Sequence, residues 1–174
     1  MDGPRSLAAP APGDRRFTGS LPSLPAPFVH ELRVRYGECD PQGIVFNANY
    51  LLYFDVAFTE LWRAAVGPWQ EMVERGVDAV VAEANLSFRA PARYDDELQL
   101  RAEVANLGRS AITTEIDVMR GEELLVAGRL RHVCVATDSW TKTDLPDWVR
   151  SGLERFARSE DHADGDVDAG GEPD

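Results

Sequence analysis

The stretch from Ala48 to Val66 constrains the fold more than any other part of the chain. Its apolar residues recur at helical spacing, and Gly67-Pro68 ends the run with a glycine backed by a residue that cannot continue a helix. On a wheel of 100° per residue, Asp55, Thr59, Glu60 and Arg63 share an arc of roughly 140°. The rest is dominated by Leu, Tyr, Phe, Val, Trp and Ala. A helix so broadly apolar needs cover over most of its circumference, and the flanking segments read as the strands that provide it. Phe28, His30, Leu32, Val34 and Tyr36 alternate with polar or exposed positions ahead of it. After a short helix from Trp69 to Arg75, the period returns to two. Val80, Ala82, Ala84, Leu86 and Phe88 form one apolar set, then Leu98, Leu100, Ala102 and Val104. Turns at Gly108 and Gly121 separate Ile112, Thr114, Ile116 and Val118 from a long strand spanning Leu124 to Ala136. Leu145 to Phe156 reads as a terminal helix. One strand, one long helix and four further strands give an α+β domain, a curved antiparallel sheet wrapped around a long central helix.

That domain spans residues 28–158. Residues 1–27 hold six of the eleven prolines among Ala, Gly and Ser, and residues 159–174 are acidic and lack large apolar side chains. Neither composition buries enough apolar surface to offset ordering, so a disordered Pro/Ala-rich leader and a disordered acidic tail are expected. The net charge of −12 owes seven charges to residues 160–174, leaving a moderately acidic body. No basic stripe is present, which argues against nucleic-acid binding. No apolar run is long enough to span a bilayer and the N-terminus has no apolar signal core, so the expectation is a cytoplasmic protein without membrane association. Cys39 and Cys134 make neither a disulfide framework nor a metal pattern, and no His lies near Cys39 in sequence to activate it. His30 and His132 fall on strands as packed structural residues, and His162 lies in the tail.

The chemistry is concentrated between strand and helix, in Gly37-Glu38-Cys39-Asp40-Pro41-Gln42-Gly43-Ile44-Val45-Phe46-Asn47-Ala48-Asn49-Tyr50. Asp40 stands on a Pro/Gly turn leading directly to the start of the helix, where backbone N–H groups lack intrahelical partners. A carboxylate with an ordinary pKa near 3.9 is ionised at neutral pH and needs no activating partner. It can attack a carbonyl or deprotonate water, and N–H groups near Asn47 can polarise that carbonyl. Gly43 permits a tight turn or a positive φ. Phe46, Tyr50 and Phe54 are candidate walls of an acyl pocket. Asp-Pro-x-Gly is also an ordinary turn in which the carboxylate only bonds local N–H groups, and Asn47 or Asn49 can serve as an N-cap.

The segment Gly37–Tyr50, together with Trp69–Val77 and Ser87–Leu98, resembles the 4-hydroxybenzoyl-CoA thioesterase family of hot-dog fold acyl-CoA thioesterases. The likeness runs from Glu31 to Ala136. It implies the hot-dog fold and hydrolysis of an acyl-CoA, or aryl-CoA, thioester. By position, Asp40 takes the catalytic carboxylate role and the backbone amide of Asn47 polarises the carbonyl. It also implies a homodimer or homotetramer with the site at a subunit interface. The coenzyme A part of the substrate, or an acyl-carrier protein in its place, would be held by basic side chains, Arg89 and Arg109 being candidates. No separate cofactor and no metal are implied. Many bacterial relatives carry Tyr-His where this chain has Phe46-Asn47, a departure shared with the 4-hydroxybenzoyl branch. Two other readings of the same fold are a catalytically silent acyl-CoA-binding or scaffold protein and a hydratase or dehydratase. The latter chemistry pairs a His with a carboxylate in this loop, and no His occurs between His30 and His132.

Overall fold

The structure, a computed structural model, describes residues 27–158. The leader, apart from Pro27, and the acidic tail lie outside the described residues. Five strands, β1 (Phe28–Arg33), β2 (Val77–Phe88), β3 (Glu97–Leu107), β4 (Ala111–Arg120) and β5 (Glu123–Ala136), form one antiparallel sheet in the order β1-β3-β4-β5-β2. The helix α1 (Asn47–Ala65) lies across its concave face, followed by α2 (Trp69–Glu74), and α3 (Asp147–Leu153) with a terminal 3-10 turn closes one end. This is the α+β hot-dog arrangement.

Alternation places the core as expected on β3 and β4, where Leu98, Leu100, Ala102, Val104, Ile112, Thr114, Ile116 and Val118 are all buried. From α1, Tyr50, Tyr53, Phe54, Ala57, Phe58, Leu61, Trp62 and Ala65 descend onto them at spacings of three and four. Gly128 makes the closest approach. A Cβ there would stand 2.1 Å from the Phe54 ring and 2.7 Å from the Asn85 carbonyl oxygen. Only a bare Cα lets that ring lie against the sheet.

Two expectations need correction. In β2 the pairing slips between Val81 and Glu83. This bulge puts Val81 level with the buried His132, and Ala84, Leu86 and Phe88 level with Leu130, Gly128 and Val126. Val80 and Ala82 therefore do not share a face with Ala84, Leu86 and Phe88. The cover on α1 is also narrower than its composition suggests, since Leu51 and Leu52 remain 44% and 54% exposed. The sheet covers one side of the helix, and the side carrying Leu51, Leu52 and Asp55 stays open.

Candidate active site

The turn after β1 is built by local hydrogen bonds. Gly43 N–H donates to the Asp40 carbonyl (2.9 Å), with Gly43 at φ +75°, where a side chain would be strained. Gln42 N–H donates to Asp40 Oδ1 (2.8 Å), so one carboxylate oxygen closes an Asx turn. That bond fixes the carboxylate's rotation and leaves its second oxygen without a protein partner among the described residues. Below the turn, Asp40 N–H donates to Ile44 C=O (2.9 Å), Cys39 bridges Val45, and Phe46 N–H donates to Glu38 C=O (2.9 Å).

The chain then enters α1 with Phe46 as its N-cap, and no side chain caps the helix. Asn47 and Asn49 are thus not N-caps. Asn47 is the first helical residue, and Asn49 turns its side chain back to the Glu38 carbonyl (2.7 Å). With Asn49 N–H donating to the Phe46 carbonyl (2.9 Å) and no side-chain cap, the Asn47 N–H is left without an acceptor among the described residues at the positive end of the helix dipole.

A second wall faces this one, and periodicity gave no sign of it. The chain leaving β2 is tied down at Leu125 C=O, which accepts from Arg89 N–H (2.8 Å) and Ala90 N–H (3.1 Å). Two residues on, Ala92 C=O accepts Val45 N–H (2.9 Å), and Ala92 N–H donates to the Tyr50 hydroxyl (2.9 Å). Burial is the main cause holding the Tyr50 pKa above its ordinary value, so it stays a neutral phenol. Between the walls lies a cavity of about 830 Å³. Asp40, Gln42, Asn47 and Arg89 are the ionic and amide groups on it; Phe46, Tyr50 and Phe88 are its aromatic lining. Phe88 packs edge-on against Tyr50 with ring centroids 5.5 Å apart.

Of the residues singled out from the sequence, Asp40, Phe46, Asn47, Tyr50 and Arg89 therefore meet on one cavity. Gly43 shapes the turn without lining it. Phe54 is not a wall of this cavity: it is fully buried in the core over Gly128. Arg109 stands at the β3–β4 turn, next to the end of β4 that pairs with Val133, whereas Phe88 pairs with Val126 at the other end of β5. It pairs with Asp144 (3.5 Å) and does not meet the cavity. Phe88, Ala90 and Pro91 were missed because their approach to the turn depends on pairing remote in sequence.

His132 stays outside the cavity. His132 is buried and stacked on Phe58 with ring centroids 3.7 Å apart, and desolvation pulls its pKa down to about 4. Cys134 is buried and its thiol is pushed up to about 11 by the same cause, so it is no nucleophile. No helix among the described residues is long and apolar enough to cross a membrane.

A fold with a carboxylate and a free helix N-terminus on one apolar cavity defines a class, and comparison with known proteins agrees with it. The thioesterase superfamily model matches residues 42–127. The acyl-CoA thioester hydrolase YbgC of Shigella flexneri is 31% identical over 109 residues, 62% of this chain and 81% of that protein. The 4-hydroxybenzoyl-CoA thioesterase of a Pseudomonas species is 34% identical over 91 residues, covering 51% of this chain and 64% of its own. A crystal structure of a hypothetical protein from Thermus thermophilus superposes with a TM-score of 0.69 at 32% identity, over 74% of this chain and 98% of that one. The chain belongs to the thioesterase superfamily and is a thioester hydrolase.

Proposed function

We propose that the protein hydrolyses acyl-CoA thioesters, aryl-CoA thioesters among them, at the cavity between Asp40 and α1. The acyl group enters the pocket lined by Phe46, Tyr50 and Phe88, and the thioester carbonyl oxygen accepts the backbone N–H of Asn47. Asp40 then attacks the carbonyl carbon, expelling the coenzyme A thiolate and leaving a mixed anhydride that water cleaves. Alternatively it takes a proton from the water that attacks. Both routes consume one water and release one carboxylate and one thiol. A thiolate leaves without acid help, so the chemistry does not require the imidazole found at residue 47 in many relatives. An oriented N–H at a developing oxyanion is worth roughly 10²–10³ in rate. The single observation that carries this reading is that Asp40 and Asn47 line the same largely apolar cavity.

The active unit in this reading is a homodimer or homotetramer. β2 is a sheet edge twelve residues long, with Val81 and Phe88 about half exposed, and it ends at the cavity mouth. An open edge of that length is a template for a second strand, and a second copy pairing there would bring its surface beside Arg89.

The test is thiol release from acetyl-, hexanoyl-, palmitoyl- and benzoyl-CoA, followed with a thiol reagent. Turnover is expected for at least one ester, and Asp40→Ala should lower it by roughly 10²–10⁴. Binding without turnover would favour the silent acyl-CoA-binding protein, and unchanged turnover in Asp40→Ala would remove Asp40 from the mechanism.

A further inference from the structure

Glu38 accepts four hydrogen bonds at the foot of the Asp40 turn. Its carbonyl accepts Phe46 N–H (2.9 Å) and Asn49 Nδ2 (2.7 Å). Its carboxylate Oε2 accepts Arg35 N–H (2.8 Å) and the Tyr53 hydroxyl (2.7 Å). The side chain is only 16% exposed although it carries a charge. Asn49 and Tyr53 are four residues apart, so both rise from one face of α1. Two successive turns of the helix thus grip the residue two before Asp40.

Helix propensity and core packing do not account for the polar groups of either residue. Asn at the third helical position is a weaker helix former than Ala, and its side chain does not cap the helix. Tyr53 has its ring in the core, and its hydroxyl spends its proton on Glu38. What the pair adds, beyond the Phe46–Glu38 backbone bond, is a side-chain brace between two parts of the site. One is the turn that carries Asp40, and the other is the helix end that carries the Asn47 N–H.

We infer that Asn49 and Tyr53 are positioning residues that act through Glu38 to set the reach of Asp40 to the thioester held at the helix end. The inference rests on the Asp40 mechanism above. Displacements on the order of 1 Å at reacting groups cost up to roughly 10²-fold in rate, so a clamp of this kind is felt in kcat.

The test uses the full chain and the best ester of the panel above. Asn49→Ala should lower kcat by about 10- to 100-fold, and Tyr53→Phe by about 3- to 10-fold, with KM within about two-fold of wild type. Glu38→Gln keeps an oxygen that accepts both donors and should retain at least about half of kcat, whereas Glu38→Ala should not. In an Asp40→Asn background, Asn49→Ala should alter the residual rate by less than about two-fold, because its effect passes through Asp40. Should Asn49→Ala fail to fold, Tyr53→Phe carries the same cycle with its ring still packed. Wild-type kcat in both Asn49→Ala and Tyr53→Phe, with Asp40→Asn crippled, overturns the clamp alone. Fully additive losses in the cycle overturn it too. Wild-type turnover in Asp40→Asn itself overturns the mechanism on which the clamp rests.

Discussion

The two ends of α1 are finished in opposite ways. At the C-terminal end, Arg155 Nη2 donates to the carbonyls of Ala64 (3.2 Å) and Ala65 (2.7 Å), and Val66 N–H returns to Trp62 C=O (2.8 Å). The C-terminal half packs through Phe58 onto His132 and through Trp62 onto Trp69, and Gly152 lies so close that a Cβ would stand 2.6 Å from the Ala65 carbonyl oxygen. At the N-terminal end, the N-cap is Phe46, half exposed and with a side chain that cannot accept a hydrogen bond, and the helix opens on a cavity. One end ties its last carbonyls down by Arg155 and the returning chain. The other leaves donors unspent, and unspent donors beside a carboxylate are what a carbonyl substrate needs. Stability and chemistry are thus separated along a single helix.

If that separation is right, damage to the packed half should unfold the protein, and damage to the open half should disable it. The largest structural effect is expected from Gly128→Ala, which pushes a methyl into the Phe54 ring and the β2 backbone. A loss of about 3 kcal/mol or more is expected in urea unfolding, with near-normal turnover per folded molecule. Acid should act on the same half. The His132 pKa is about 4 in the fold and about 6.5 in the unfolded chain. On acidification the unfolded state takes the proton first, so this contribution is complete above pH 6.5 and is lost as pH falls towards 4. It amounts to about 3 kcal/mol, and urea midpoints across that window should lose this slope in His132→Phe.

The smallest shift in stability should carry the sharpest contrast. Phe46→Ser supplies the missing cap and should stabilise the helix by about 0.5–1 kcal/mol, visible as a rise in melting temperature. The same hydroxyl occupies first-turn N–H groups and removes a cavity wall, so turnover should fall by about ten-fold. A variant that gains stability and loses activity would mark this end as built for substrate. A variant that gains both would refute the separation.

The sequence makes the strong local periods legible. α1, the buried faces of β3 and β4, and the turn Asp40–Gly43 follow from spacing and turn chemistry within a few residues. What escapes is set by long-range geometry. The bulge at Val81/Glu83 has the same alternating letters as a regular strand, so its change of face is silent. Phe54 and Tyr50 are both aromatic and one helical turn apart, and only the sheet decides that one meets Gly128 and the other the cavity. The wall at Phe88–Pro91 exists because Val45 and Tyr50 bond Ala92, a contact no local pattern encodes. Arg89 and Arg109 are alike as exposed cations in sequence, and topology sends them to opposite ends of the sheet.

The most direct test is the single-turnover rate of thiol release by Asp40→Asn, measured beside wild type on the best acyl-CoA ester with melting curves for both. The side chain keeps its shape and its oxygen for Gln42 N–H, and loses only its charge. A fall of roughly 10² or more at an unchanged melting temperature is the expected result. An equal rate from the two proteins would contradict the assignment of this carboxylate to the cleavage of the thioester.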